Sequence, residues 1–308
     1  MQSLPIRIGT RGSTLALIQA REVKSKLVAA GDLDPASVEI VTISTTGDRV
    51  TDRPLMEIGG KGLFTKEIER ALFDGEIDLA VHSMKDMATV LPDGLEMAAL
   101  LEREDPRDAF LSPGAASIRD LRHGAVVGSS SIRRQAQLMR LRPDLEVVMY
   151  RGNVDTRLRK LAEGQVDATI LALSGLRRMG LEGEVTAPVA MEDMLPAVAQ
   201  GAIGIEIRSD DDRLRELVMP LNHRPTEITI GAERAFLRVL DGSCHTPIAG
   251  HARIEGHDHV VFAGMVLMPD GSVVHETTAE SDCAGATEMG LAAGEFLKGR
   301  IGPDFFAS

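Results

Sequence analysis

Residues 125–172 read AVVGSSSIRRQAQLMRLRPDLEVVMYRGNVDTRLRKLAEGQVDATILA. Short β-like runs over 125–128, 146–150 and 167–172 alternate with stretches over 132–141 and 154–162 whose apolar residues recur at helical spacing. That alternation is the pattern of parallel strands joined by helical crossovers, an α/β layer. The same rhythm runs upstream, with strands predicted over 6–9, 39–43 and 78–82 and helices over 14–30 and 61–73. The charged, proline-containing segment EREDPRD (102–108) marks one boundary, ahead of a strand at 109–111. A second boundary falls at 222–225, before a helix predicted over 231–240. Between them the apolar run 203–207 is placed to return to the first domain as a strand. From 248 to 279 the pattern changes to strand–turn–strand, with turn signals at 256–258 and 269–271, and a helix over 284–297 is predicted to cover that sheet. A chain of 308 residues has room for two or three such domains.

Charge sharpens this picture. The net charge is −12, which disfavours general nucleic-acid binding because neutralising phosphates needs a positive surface. With no Trp and one Tyr, platforms for stacked bases are scarce as well. Yet residues 119–178 hold 12 Lys/Arg against 6 Asp/Glu, a local +6 that leaves −18 on the rest of the chain. A basic island in an acidic protein points to a confined site for a small anion. No run approaches the roughly 18 apolar residues of a membrane span. The N-terminus lacks a basic region followed by an apolar run, and the two cysteines, Cys244 and Cys283, are far apart. The expectation is a reducing, cytoplasmic setting without disulfides.

Several predicted strands run into polar residues, and in α/β sheets the carboxyl ends of strands face the binding crevice. The first leads to Arg11 and Ser13, the third to Lys85 and Asp86, and the strand at 125 to Ser131, Arg133 and Arg134. The strand ending at Tyr150 leads to Arg151, with Arg157 one turn into the next helix, and Arg177 and Arg178 follow a further strand. Arginine grips carboxylate or phosphate with a two-pronged fork and stays charged at any working pH. Any one of these arginines could be an ordinary surface ion-pair partner; recurring at strand ends, the set suits a ligand with several acidic groups. Asp86 beside Lys85 reads either as an exposed pair or as a carboxylate that stabilises a cationic reaction centre. Cys244, in DGSCHTP (241–247), sits in a loop marked by Gly242 and Pro247 and is either a structural cysteine or a nucleophile and attachment point. GGKG (59–62) lacks the upstream Gly and the Ser/Thr of a phosphate loop, and neither G-x-G-x-x-G nor G-x-S-x-G occurs. His245, His251, His257, His259 and His275 lack the spacing of a metal motif, so no metal is expected.

Taken together, TRGSTLALIQA, GGKGLFTKEIE, DLAVHSMKD, EREDPRDAF, GSSSIRRQAQL, RGNVDTRL, LPAVAQGAIGIE and DGSCHTPIAG resemble the hydroxymethylbilane synthase (porphobilinogen deaminase) family. They run in order from Thr10 to Gly250, so the resemblance covers most of the chain. It implies an α/β fold of two lobes like those of periplasmic binding proteins, with a cleft between them, plus a small C-terminal α+β domain. The lobes would be 1–101 with 202–219 and the Arg-rich 107–195, and the third domain 224–308. It further implies a dipyrromethane cofactor held on Cys244 through a thioether, to which four porphobilinogen units are added head to tail with loss of ammonia before hydrolysis releases hydroxymethylbilane. By position, Asp86 is then the catalytic carboxylate. Lys85, Ser131, Arg133 and Arg134 are expected on the cofactor, and Arg11, Ser13, Arg151, Arg157, Arg178 and Lys61 on the substrate's acidic side chains.

The chemistry agrees with the residues. Each pyrrole carries two carboxylates, so the growing chain needs many two-pronged cations. Loss of ammonia leaves an electron-poor azafulvene and then a cationic pyrrole, which one fixed carboxylate stabilises. The chain departs from the family's common pattern at Gly12, Thr14, Ile18, Glu57, Met87, Ala88 and His245, none of which carries an assigned chemical role. Two other classes fit parts of the pattern. A two-lobed small-anion binding protein needs the arginines but not Asp86 with Cys244, and a metabolite-sensing regulator needs a DNA-binding segment that is not seen before Gly9. A monomer is expected, with porphobilinogen as the partner and neither nucleic acid nor membrane.

Overall fold

The computed structural model describes residues 5–49, 62–240, 246–302 and 305. They form two compact units, 5–49 with 62–104 and 202–227, and 105–201 with 228–302.

In the first unit, strands β1 (Ile6–Arg11), β2 (Val38–Ile43) and β3 (Leu79–Ser83) pair in parallel. Strand β4 (Leu95–Leu100) closes the sheet through β10 (Ile203–Arg208), which runs antiparallel to both β3 and β4, giving the order β2-β1-β3-β10-β4. The predicted return strand is therefore β10. Helix α1 (Thr14–Gly31) lays Ala20, Val23 and Leu27 on one face of the sheet against Ile8, Val81, Ile203 and Ile205. After the short α2 (Thr46–Arg49), helix α3 (Lys66–Phe73) covers the other face with Ile68 and Leu72 against Ile77 and Ala80. With both faces covered, the central strands become near-continuous apolar runs.

The second unit repeats the plan. Strands β6 (Val126–Gly128), β7 (Glu146–Val148) and β8 (Ala168–Ala172) are parallel, while β5 (Asp108–Leu111) runs antiparallel to β8 and to the short β9 (Ala187–Pro188). The order is β7-β6-β8-β5-β9, so each five-stranded sheet is a parallel trio extended by two strands of alternating direction. Helices α4 (Ile132–Leu141), α5 (Val154–Ala162) and α6 (Leu173–Arg178) flank it, with Phe110, Val127, Leu138 and Ile170 in one core and Leu111, Leu171 and Leu176 in another.

Helix α7 (Asp212–Val218) packs Leu214 and Val218 into the first core. Helix α8 (Arg224–Val239) precedes an antiparallel meander of β11 (Ile248–Glu255), β12 (His259–Leu267) and β13 (Val274–Asp282), which α9 (Ala286–Lys298) covers. Phe236 of α8 meets Phe262 of β12 with ring centroids 4.9 Å apart. Gly256 and Gly271, at φ of 68° and 73°, turn the two hairpins where a side chain would be strained.

Two elements differ from expectation, and a third, β4, was not among the predicted elements. LEMAAL (95–100), rich in helix formers, is the strand β4, because pairing with β10 outweighs intrinsic propensity. Helix α8 starts at Arg224 rather than 231: Pro225 lies in the first turn, where its missing N–H costs nothing. The strand predicted to reach Tyr150 ends at Val148, and the Tyr150 N–H turns to the Ser130 hydroxyl at 3.0 Å.

Candidate active site and anion-binding residues

In the first unit the chemistry gathers at the carboxyl ends of β1 and β3. Arg11 is the last residue of β1, and Asp86 ends a single 3-10 turn (Met84–Asp86) directly after β3. The Arg11 Nη1 lies 3.6 Å from Asp86 Oδ2. The other edge of the guanidinium is held by Asp48, with Nη2 at 2.5 Å and Nε at 3.2 Å from Oδ1, and its carbon sits 4.1 Å from the centre of the Phe64 ring. Burial alone would raise the Asp48 carboxyl, but hydrogen bonds from Arg11 and Thr45 outweigh it and hold it below the usual range. Arg11 is thus fixed on three sides and reaches Asp86 only partly. Ser13, expected on substrate, caps α1 by accepting from the Ala16 N–H at 3.3 Å. Lys85 lies in the same turn as Asp86.

Behind Asp86, the buried His82 of β3 and Glu206 of β10 meet at 2.9 Å. Burial, with Glu206 close by, raises the nearby Glu69 carboxyl. A polar pair inside the sheet fixes the strand that delivers Asp86.

In the second unit Ser131 caps α4, and Arg133 and Arg134 follow in the first turn. Both are buried and both reach Asp108, itself completely buried: Arg133 Nη2 to Oδ2 at 2.7 Å and Arg134 Nη2 to Oδ1 at 2.7 Å. Arg133 Nη1 donates to the Leu195 carbonyl and Arg134 Nη1 to the Ile170 carbonyl. At the end of β7, Asn153 caps α5, and Gly152 at φ 127° lets the chain turn so that Arg157 Nε donates to its carbonyl at 2.9 Å. The Tyr150 hydroxyl donates to the Arg157 carbonyl at 2.7 Å. Arg157 is half-buried and no carboxylate pairs with it among the described residues. Burial, then the like charges of Arg134 and Arg151, push its guanidinium down to about 10. Arg178, in the last turn of α6, donates to the Gly201 carbonyl at 2.9 Å.

The structure thus brings Arg11 to Asp86 in one unit and Arg134, Arg151 and Arg157 together in the other. Cys244, Lys61, Glu57 and His245 lie outside the described residues. Asp48, Asp108 and the His82–Glu206 pair were not singled out from sequence. Asp108 had a signal, a lone acid heading the apolar strand DAFL, but it read as part of a charged boundary. Among the described residues, no group of three or more His, Cys, Asp and Glu side chains is arranged to hold a metal ion. None of their helices is long and apolar enough to cross a membrane.

Comparison with known proteins bears on this arrangement. Residues 6–216 match the family model described as porphobilinogen deaminase, dipyromethane cofactor binding domain, and residues 228–299 match the porphobilinogen deaminase C-terminal domain. A porphobilinogen deaminase of Nitrobacter hamburgensis is 54% identical over 299 residues, covering 97% of this chain and 94% of that protein. Its counterpart in Nitrobacter winogradskyi is 52% identical with the same coverage. Among solved structures, a periplasmic substrate-binding protein of an ABC transporter from Coxiella burnetii aligns at 16% identity and a TM-score of 0.44, over 74% of this chain and 96% of that one. The methionine-binding protein MetQ aligns at 15% identity and a TM-score of 0.45, over 70% of this chain and 89% of that one. The two matched family models and the near-full-length relatives show that the chain belongs to the porphobilinogen deaminase family.

Proposed function

We propose that this chain is a hydroxymethylbilane synthase that condenses four porphobilinogen molecules head to tail with loss of ammonia and releases hydroxymethylbilane by hydrolysis. The observation that carries the reading is Arg157: a half-buried cation with no carboxylate partner among the described residues, beside Arg134 and Arg151. A fold tolerates such concentrated positive charge when a ligand brings the missing anions. The acetate and propionate groups of pyrroles are of that kind, and these residues fit an acidic dipyrromethane.

Cys244 is the proposed thioether attachment point. When bound, the dipyrromethane supplies the pyrrole terminus that porphobilinogen extends. Arg133 and Arg134 supply the positive field on its side chains, with Lys85 and Ser131 as further contacts. Arg11, Ser13, Arg151, Arg157, Arg178 and Lys61 orient the carboxylates of incoming porphobilinogen. Asp86 stabilises the positive charge that develops as the substrate sheds ammonia, and its Oδ atoms hold the proton that the reacting pyrrole gives up. Because Asp48 holds one edge of Arg11, that cation neutralises Asp86 only in part. The proposed regions are 1–101 with 202–219, 107–195 and 224–308, in a cytoplasmic, monomeric enzyme.

The test is the intact mass of the purified chain under denaturing conditions, with peptide mapping around Cys244. The expected result is a covalent excess of one dipyrromethane on the Cys244 peptide. An unmodified chain that gains no mass on incubation with porphobilinogen is not this enzyme, and a small-anion binding protein becomes the better description.

A further inference from the structure

We infer that Asp108 is a positioning residue for the anion site, orienting Arg133 and Arg134 so that the first turn of α4 presents a fixed cationic face. The inference rests on the functional reading above and deepens it.

Asp108 opens β5, pairs with Ala172 of β8 through the sheet, and accepts the Val189 N–H on its own carbonyl at 2.8 Å, so its backbone cannot drift. Its side chain is completely buried and fully engaged. Oδ2 accepts from Arg133 Nη2 at 2.7 Å. Oδ1 accepts from Arg134 Nη2 at 2.7 Å, from Arg134 Nε at 3.2 Å and from Gln200 Nε2 at 2.9 Å. Arg133 and Arg134 are consecutive on a helix, so their side chains leave the axis about 100° apart. Both nevertheless converge on one carboxylate, which ties the first turn of α4 to β5 and restricts the rotation of the helix about its axis. Arg133 even leaves its buried Nε without a partner to reach it. Asp108 therefore dictates the geometry, and the arginines conform.

The charge balance gives the device a purpose. Two buried guanidiniums share a single carboxylate, so the cluster keeps one surplus positive charge. Asp108 stays ionised throughout: burial opposes its charge, but Arg133 and Arg134 hold its carboxyl far below the ordinary range. The positive field of Arg134 reaches Arg157, which has no carboxylate partner among the described residues. A ligand carboxylate arriving there meets cations whose ordering was completed on folding, which lowers the entropy lost on binding. Gln200 also donates to the Pro106 carbonyl at 2.7 Å, just ahead of β5.

The experiment compares the wild-type chain with Asp108→Asn and Gln200→Leu, each purified as expressed. Far-UV circular dichroism reports folding, intact mass reports the fraction carrying dipyrromethane, and initial rates give kcat and KM for porphobilinogen. A folded Asp108→Asn chain is expected to lose cofactor loading about tenfold, the effect of one charge-assisted hydrogen-bond set. Gln200→Leu removes one neutral donor and is expected to raise KM about threefold with kcat within about twofold. A purely structural role lowers the melting temperature without that split. A folded Asp108→Asn chain with wild-type loading and KM overturns the inference. Where Asp108→Asn yields no folded chain, Gln200→Leu decides, and an unchanged KM overturns it. If the wild-type chain itself carries no dipyrromethane and shows no turnover, the functional reading falls and this inference with it; wild-type activity beside unaffected variants sinks the inference alone.

Discussion

Replacing Arg157 with Met is expected to make the cofactor-free protein more stable and the enzyme worse. The guanidinium is pushed down to about 10, first by burial and then by Arg134 and Arg151. At about 1.4 kcal/mol per tenfold change in proton affinity, that displacement corresponds to roughly 3 kcal/mol against the charged form. The side chain is only half-buried, so solvent screening leaves about 2 kcal/mol. Methionine also forfeits the Nε–Gly152 hydrogen bond, which costs about 1 kcal/mol. The net gain is about 1 kcal/mol, or roughly 2–4 °C in the melting transition of the unit that holds Arg157. The sign over pH follows from the direction of the shift. A base whose folded pKa is lowered feels its full penalty at every pH below the folded value, so the gain should be constant between about pH 6 and 9. The comparison belongs in a Cys244→Ser background, where covalent cofactor cannot add its own stabilisation. In the cofactor-competent chain the same substitution should raise KM for porphobilinogen by about tenfold, as expected for losing one charged hydrogen-bond partner. A lower melting temperature together with an unchanged KM would refute the reasoning, because Arg157 would then be a structural cation.

Asp86→Ala should keep the circular dichroism spectrum of the wild type yet stop chain elongation, with turnover down at least about 100-fold; normal turnover would remove Asp86 from the mechanism. Asp78→Asn tests a structural ion pair, since Asp78 accepts from the Arg7 N–H at 2.8 Å and Nε at 3.0 Å. Burial alone would raise the Asp78 carboxyl, but the Arg7 bonds outweigh it and hold it below its ordinary range. The stability it contributes is therefore present above the unfolded carboxylate value and lost as pH falls through the folded one. The variant should cost about 1–2 kcal/mol in denaturant unfolding at pH 7, with the difference closing as pH falls below the ordinary carboxylate range. Gly290→Ala should destabilise the C-terminal region by about 2 kcal/mol, because overpacking against rigid backbone exceeds the roughly 1 kcal/mol gain in helix propensity. The added Cβ would stand 2.1 Å from the Ala232 carbonyl oxygen of α8, and a thermal scan showing no loss would mean that α8 and α9 can separate freely.

The arginines illustrate two different fates for one residue type. Arg133 and Arg134 look alike in SIRRQ and both spend their forks on Asp108, whereas Arg157, from RGNVDTRL, has no acidic partner among the described residues. Nothing in the local sequence separates them, since the partner of Arg134 lies 26 residues away and the absence of one at Arg157 is a property of the packed unit. The surplus charge that suits a polycarboxylate ligand is thus a remainder, visible only after internal pairs are assigned.

Residue order alone was enough for the α/β class, the alternation of strands and helices, the return strand at β10 and the C-terminal meander, because periodicity and turn chemistry act over a few residues. It was also enough for the family, through Arg11, Asp86 and the SIRRQ and RGNV runs. It assigned no element to LEMAAL, whose helix-forming residues became an edge strand, and it placed the start of α8 too late, since neither sheet pairing nor the tolerance of a first-turn proline shows in apolar periodicity. It was silent on Asp48 beside Arg11, on the His82–Glu206 pair behind Asp86 and on Asp108 beneath α4. Each of these is a buried or half-buried group whose energy depends on a partner at least 25 residues distant. Electrostatics of that kind depends on distance in space and on exclusion of water, and neither exists until the chain has packed.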